Sequence, residues 1–221
     1  MSLATLLLLA DSRFPTGAHA HSAGVEPSHG AGGVRSIADL AVFLDGRLAT
    51  TGRTEAAFAA AACHQPSRWG ELDHELMIRT PSPRLRAVSR SLGRQLLRGA
   101  SRAWPSLPVE SLRALHVDGP MQPVALGAVA SAAGLRPHDA ALCSLHHLVG
   151  AVTTAAVRLM GLDPFSVQAL AADRAAQLDA LADEAAAHAD GAPDALPSFA
   201  SVLSDILAEH HGTWETRLFA S

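Results

Sequence analysis

The residues whose types suit chemistry are concentrated in the first tenth of the chain. The stretch ADSRFPTGAHAHSAGVEP, residues 10–27, contains two histidines, two serines, two glycines and a glutamate. Imidazole is a common ligand of transition metals, so His19 and His21 are the candidates for a metal site. Two residues two positions apart on a helix point to nearly opposite sides, so this pair needs further ligands from elsewhere in the chain or from a second subunit. The pattern favours histidines in a turn or at an interface over a metal site.

The usual signatures of nucleotide binding and catalysis are missing from the sequence. The glycines at 17, 24, 30, 32 and 33 match neither the dinucleotide fingerprint nor the phosphate loop. All 17 basic residues are arginine, which excludes a lysine nucleophile and the lysine of a phosphate loop. Cys63 and Cys143 cannot form a disulfide framework or a zinc site with CxxC spacing. We therefore expect a protein that is not an enzyme and binds no cofactor tightly.

A regular series of arginines is the second feature of interest. We call these five residues, which recur every four positions, the arginine ribbon: Arg86, Arg90, Arg94, Arg98 and Arg102. Residues 163–209 form an acidic counterpart, with nine acidic residues and one arginine. The ribbon is either a solvated face with intramolecular pairs or a docking surface for an acidic protein, contacted through Arg90 and Arg94. The net charge of −4 argues against nucleic acid as the partner.

Helices must position these residues, because the core has to be built from Leu, Ala and Val. Aromatic residues make up 4% of the chain, and no segment shows the apolar alternation typical of a strand. We predict an all-α, single-domain bundle of about eight to ten helices over residues 1–221. Specific expectations are a helix that opens at Gly17 with Thr16 as N-cap, a helix capped by Ser36, a connector over Trp104–Pro120, and helices over Leu85–Ala103, Asp139–Met160 and Val167–Ala189.

The sequence also bears on location. The apolar segment 148–162 is interrupted by Arg158 and is too short to span a bilayer, so we expect no membrane association. No basic segment precedes the first apolar run, which argues against a secretory signal. Two cysteines without a disulfide pattern suit a reducing compartment, and the chain is expected to be cytoplasmic.

Four segments resemble the urease accessory protein family UreF. The opening segment LLLLADSRFPTGAHAHSAGVE matches the family's N-terminal signature, and HHGTWETRLFAS matches its closing motif. SRSLGRQLL and the region from PVALGAVASAAGL to HHLVGAVTTAAVRLMGLDP agree in order and spacing. The matching positions in the first motif are Ser12, Pro15, Gly17, His21, Ser22, Gly24 and Glu26, and those in the last are His211, Arg217, Leu218, Phe219 and Ser221.

This resemblance implies a function as well as a fold. Proteins of the family are helical, dimerise, and bridge a UreD-like protein (UreH-like in some bacteria) to a UreG-like GTPase that carries nickel. The assembly delivers nickel to the urease apoenzyme, so the metal is handled transiently. The opening motif is then a turn that feeds a helix at a protein interface.

The C-terminal segment is the expected docking element for the UreD-like protein. Residues 212–221 follow the last predicted helix and carry Trp214, Leu218 and Phe219 beside Arg217. Large apolar side chains in a chain end either pack back on the bundle or wait for a partner. The alternative function for the whole chain is an unrelated helical adaptor that docks an acidic protein through the arginine ribbon.

Overall fold

The computed structural model describes residues 2–17 and 20–219, and these residues form an all-α bundle with no strand. Ten of its twelve α-helices have eight residues or more, which confirms the predicted fold class. In chain order the α-helices are α1 (Leu3–Ala10), α2 (Val25–Gly30), α3 (Ile37–Arg47), α4 (Arg53–His64), α5 (Trp69–Ile78), α6 (Pro83–Ala103), α7 (Val109–Arg113), α8 (Gln122–Ala132), α9 (Pro137–Met160), α10 (Pro164–Ala172), α11 (Ala175–Ala187) and α12 (Val202–His211).

Helix α4 lies at the centre and packs against α8, α9 and α11. Every residue from Ala56 to Cys63 is buried, because α4 is enclosed on all sides and its alanines let neighbouring helices approach closely. The closest approach is at Gly127 of α8, where an added Cβ would lie 2.3 Å from the carbonyl oxygen of Ala59 and 2.6 Å from the Cβ of Ala62. The α4–α8 crossing therefore requires glycine at position 127.

Two apolar clusters flank α4. One gathers Phe58, Leu72, Leu96 and Leu126 between α4, α5, α6 and α8. The other gathers side chains of α3, α9, α10 and α11, including Leu44 and Val152, together with Phe219 from the C-terminal segment. Phe219 of the C-terminal motif is therefore part of the core.

The segment before α2 differs from the predicted helix. Gly17 and Gly24 adopt positive φ angles of 76° and 90°, and none of the described residues from 17 to 24 is in an α-helix. A left-handed glycine interrupts a right-handed helix, so α2 begins only at Val25, after Gly24. The prediction that Thr16 caps a helix opening at Gly17 is wrong. Pro27 lies in the first turn of α2, where its missing N–H costs no helical hydrogen bond.

Other boundaries follow the sequence more closely. Ser36 caps α3, since its hydroxyl oxygen accepts the backbone N–H of Asp39, as predicted. The connector 104–120 contains the five-residue helix α7. The predicted helix over Val167–Ala189 is two helices, α10 and α11, which meet at Asp173 and Arg174.

Helices α3 and α4 are joined without a loop. Residues Leu48–Gly52 between them form one turn of π-helix, so the two run on as a single rod from Ile37 to His64. π-Helical turns carry an extra residue and occur frequently at functional sites.

Helix α9 is long and apolar enough to cross a membrane by length and composition, but 61% of its most apolar window is buried inside the protein. It is the packing partner of α4 and α11, as expected for the core helix of a bundle.

We predict that Gly127→Ala lowers the free energy of unfolding by about 1–3 kcal/mol, because the new methyl group overlaps the backbone of α4. Gly150→Ala in α9 is the matched control. Nothing lies within 4 Å of the position that a Cβ would take there, so the better helix propensity of alanine should raise stability by up to about 1 kcal/mol. Urea denaturation measures both, and equal effects of the two substitutions would contradict the close crossing.

Candidate partner-docking site

Residues 12–17 of the N-terminal motif form turns and bends that lie against α6. Gly17 is buried, and an added Cβ would lie 1.9 Å from Oε1 of Gln95. Pro15 approaches α6 at Gly99, where a Cβ added to Gly99 would lie 2.7 Å from Cγ of Pro15. Ser12 is exposed, and His21 is half-buried beside a cavity. Glycines at 17 and 99 therefore let the motif lie directly against the helix.

The end of the motif is fixed by hydrogen bonds. Ser22 is fully buried, and its hydroxyl oxygen accepts the backbone N–H of Glu26 at 3.3 Å. Gly24 supplies the left-handed conformation that starts α2. The result is a glutamate whose carboxylate is buried inside the protein.

The Glu26 carboxylate joins the two ends of the chain. It accepts Nε2–H of His211 at 3.0 Å and the backbone N–H groups of Leu218 and Phe219 at 2.7 and 3.0 Å. The Glu26 and His211 side chains are both buried. A buried carboxylate needs such donors, since an unsatisfied one is strongly destabilising. The first and last motifs therefore form one structural unit.

The C-terminal segment lies folded on the bundle. Phe219 is buried, and the guanidinium of Arg158 lies 4.8 Å from its ring centre. Trp214 is half-buried with its ring edge-on to His211, and its Nε1–H donates to Nδ1 of His210 at 3.2 Å. Arg217 and Leu218 are exposed. Of the described C-terminal residues named from the sequence, Arg217 and Leu218 are therefore the exposed ones, whereas Phe219 anchors the segment.

The arginine ribbon is not a uniform surface. Arg90 is buried; its Nη1 lies 3.1 Å from Oδ2 of Asp73 and donates to the carbonyl oxygen of Gly119 at 2.6 Å. The second oxygen of Asp73 accepts the N–H of Met121 at 2.6 Å, so the pair fixes the chain before α8. The expectation that Arg90 lies on a docking face is wrong, because this arginine turns inward toward an acid on α5.

The remaining members of the ribbon differ from Arg90. Arg86 donates to the carbonyl oxygens of Thr80 and Pro81, at 2.7 and 2.8 Å, and closes the loop before α6. Arg94 is exposed and donates to the carbonyl oxygen of Asp118. Arg98 and Arg102 are exposed and make no ion pair with the described carboxylates. The exposed part of the ribbon is the C-terminal half of α6.

Over the described residues, no group of three or more His, Cys, Asp or Glu side chains is arranged to hold a metal ion. His19 and Ser221, named from the sequence, lie outside those residues.

The two cysteines are in poor positions for nucleophilic chemistry. Burial raises the pKa of the Cys63 and Cys143 thiols to about 12, so both are protonated at neutral pH. His147 lies 3.6 Å from the Cys143 sulfur, but burial lowers its pKa to about 4, and its Nε2–H donates to the carbonyl oxygen of Leu9. This histidine fastens α1 to α9.

Sequence reasoning missed the partners of two charged residues. It named Glu26 and His211 as members of separate motifs and did not pair them, and it did not single out Asp73. The sequence around Glu26, SAGVEPSH, carries no local signal that this carboxylate is buried or which donors it receives.

The chain resembles one family of known proteins along its whole length. A model of the UreF family matches residues 34–189. The urease accessory protein UreF of Mycolicibacterium vanbaalenii is 41% identical over 224 residues, covering 100% of this chain and 99% of the relative. Those of Mycobacterium marinum and Mycobacterium tuberculosis are 41% and 38% identical over 220 residues, with the same coverage.

We predict that Glu26→Gln releases the C-terminal segment from the bundle. The amide replaces one acceptor oxygen by a donor that faces the N–H groups of residues 218 and 219. The free energy that holds the segment on the bundle should therefore fall by about 3 kcal/mol. Limited proteolysis should cleave residues 212–219 faster while circular dichroism stays helical. The exposed Glu110→Gln is the control. An unchanged cleavage pattern would show that the carboxylate does not hold the segment.

Arg90 and Arg98 should respond differently to the same substitution. Arg90→Ala leaves Asp73 buried without its cation and should lower the free energy of unfolding by about 3–5 kcal/mol. Arg98→Ala, on the exposed part of α6, should change it by less than about 0.5 kcal/mol. Thermal melts of both variants measure this contrast, and equal melting temperatures would refute the assignment of Arg90 to the interior.

Proposed function

Because the chain belongs to the UreF family of urease accessory proteins, its role is in urease maturation, and we propose that it acts there as a scaffold for nickel insertion. In this proposal it is cytoplasmic, forms a homodimer, and bridges a UreD-like or UreH-like protein to a UreG-like GTPase. Nickel passes to the urease apoenzyme through the assembly, and this chain holds the metal only transiently.

One observation carries the proposal: the Glu26 carboxylate joins the two family motifs into a single unit with exposed side chains at its edge. Arg217 and Leu218 lie outside, while the backbone N–H of Leu218 is fixed by that carboxylate. A docking residue held by its own backbone loses less conformational entropy on binding than one in a mobile tail. This preorganisation favours residues 217 and 218 as contacts for the UreD-like protein.

Helix α12 extends the same surface. Val202, Leu203 and Ile206 are each at least 60% exposed, and α12 leads directly into the C-terminal segment. Exposed apolar side chains clustered on one helix are typical of protein interaction sites. Arg217 belongs to a residue type that is enriched in interface hot spots.

The exposed arginines of α6 supply a second surface. Arg94, Arg98 and Arg102 follow each other on the solvent side of α6. Arginine forks pair well with carboxylates, so this face suits an acidic region of another member of the assembly. The family membership excludes an unrelated adaptor. The pairing of these arginines with carboxylates of a partner remains part of the proposal.

We predict that the double substitution Arg217→Ala and Leu218→Ala abolishes capture of the UreD-like protein while the melting temperature stays unchanged, because both side chains are exposed. Co-purification of the tagged chain with the UreD-like and UreG-like proteins, with and without nickel and GTP, measures this. The matched control replaces Arg113 and Phe165, another exposed arginine and apolar residue, by alanine.

The pull-down distinguishes the parts of the proposal. Loss of the UreD-like protein with the double variant, and normal capture with the control, supports the docking site. Normal capture by both variants would refute the role of residues 217 and 218. Failure of the unmodified chain to retain either protein would overturn the bridging function.

A further inference from the structure

A cavity of about 450 Å³, open to solvent on one side, lies between the α3–α4 rod, α6, α9 and α12. This volume is within the range of small-molecule sites in proteins, which are mostly apolar with a few polar groups that orient the ligand. The urease-maturation role proposed above leaves the cavity unexplained.

One wall of the cavity carries a polar stripe. Arg47, Thr51 and Glu55 are four residues apart along the rod formed by α3, the π-helical turn and α4, and all three line the cavity. Nε of Arg47 and Oγ1 of Thr51 are buried and find no hydrogen-bond partner among the described residues. Native proteins rarely leave buried polar atoms unpaired, so these two atoms need a partner that enters the cavity, either water or a bound group.

Arg47 has no close counter-ion among the described residues. The carboxyls of Glu55 and Asp205 face its guanidinium from α4 and α12, but neither is within ion-pairing distance. Burial lowers the pKa of Arg47 and raises the pKa of both carboxyls. Arg47 is half-buried with its Nε inside the protein, and a desolvated guanidinium is costly unless an anion compensates it, so the cavity is suited to accept one.

The rest of the lining favours an anion with an apolar body. Four arginines line the cavity: Arg47, Arg79, Arg84 and Arg217. Arg79 is paired with Glu75 and Arg84 with Glu209, so Arg47 and Arg217 are the two that make no ion pair with a described carboxylate. Arg217 is exposed at the outer part of the cavity, where it attracts anions from solution. Opposite the polar stripe, α6 contributes the apolar side chains Leu85, Val88 and Leu92.

We propose that this cavity binds a small organic anion, with its carboxylate at Arg47 and Thr51 and its apolar body along Leu85, Val88 and Leu92. The guanidinium and the Thr51 hydroxyl donate to the carboxylate, which gives both unpaired groups a partner. Ser204, Asp205 and Ala208 of α12 form the outer wall, so a bound anion also fastens α12 to the bundle.

The test is calorimetric titration of the full chain with octanoate, and with octan-1-ol as the neutral analogue of the same length. Octanoate should bind with one-to-one stoichiometry and about tenfold or more tighter than octanol, because charge-assisted hydrogen bonds are lost with the alcohol. Arg47→Met should weaken octanoate about tenfold and leave octanol unchanged, and Thr51→Val should weaken octanoate about threefold. Arg113→Met, on the distant and exposed α7, is the control.

The outcomes decide the proposal. Absence of octanoate binding to the unmodified chain means a hydrated cavity only and overturns it, as does an Arg47→Met variant that binds octanoate at full strength. If Arg47→Met fails to fold, Thr51→Val and nuclear Overhauser contacts in the unmodified chain decide instead. Contacts from octanoate methylenes to Val88 and Leu92 support the site, whereas contacts confined to Val202 and Ile206 place the ligand on the outer face of α12 and refute it.

Discussion

The structure depends on one buried carboxylate, that of Glu26. It lies at the start of the six-residue helix α2 and receives the imidazole of His211 and two backbone N–H groups from the C-terminal segment. Such a group is stable only when every donor is in place, so the ends of the chain, 185 residues apart at the nearest pair, order together or not at all. A short helix and a chain terminus, each weak alone, become one rigid unit in this way. The exposed Leu218 takes its position from the same carboxylate.

The interior follows a different principle. Its centre is α4, whose run of small residues lets α8 approach so closely that glycine is required at position 127. Small side chains provide little apolar area each, so the bundle surrounds α4 with several helices. The buried pair Arg90–Asp73 adds little net stability but fixes the position of α5 against α6. That pair also holds the loop before α8, which explains why an arginine lies in the core of a chain whose other arginines are mostly at or near the surface.

Local patterns were sufficient to predict the helical class, the Ser36 cap and the long helices α6 and α9, because each rests on side-chain spacing or capping within a few residues. The segment opening at Gly17 was misread as helix, since the positive φ of Gly17 accompanies its contact with Gln95 of α6, a residue far along the chain. Arg90 was misplaced for a related reason: four-residue spacing shows that the arginines share a side of α6 but not which of them meets an acid from α5. The Glu26–His211 pair joins distant positions, and no local pattern contains that information.

Helix α12 lies between the cavity and the proposed docking surface, and it turns polar side chains inward and apolar side chains to solvent. Ser204, Asp205 and His211 face inward toward the cavity, whereas Val202, Leu203 and Ile206 face solvent. The helix is held by specific polar contacts rather than by an apolar face: Glu209 accepts the Ser82 hydroxyl at 2.5 Å and the backbone N–H of Arg84 at 3.1 Å, at the start of α6. Helices held mainly by polar contacts are among the less stable parts of a fold.

An anion in the cavity would contact α12 from within, and a partner protein would cover it from outside, so both would stabilise the same helix. Two ligands that favour one arrangement of a shared element strengthen each other's binding. The proposed cavity site and docking surface are therefore expected to be thermodynamically coupled through α12, with Arg217 lining the first and bordering the second.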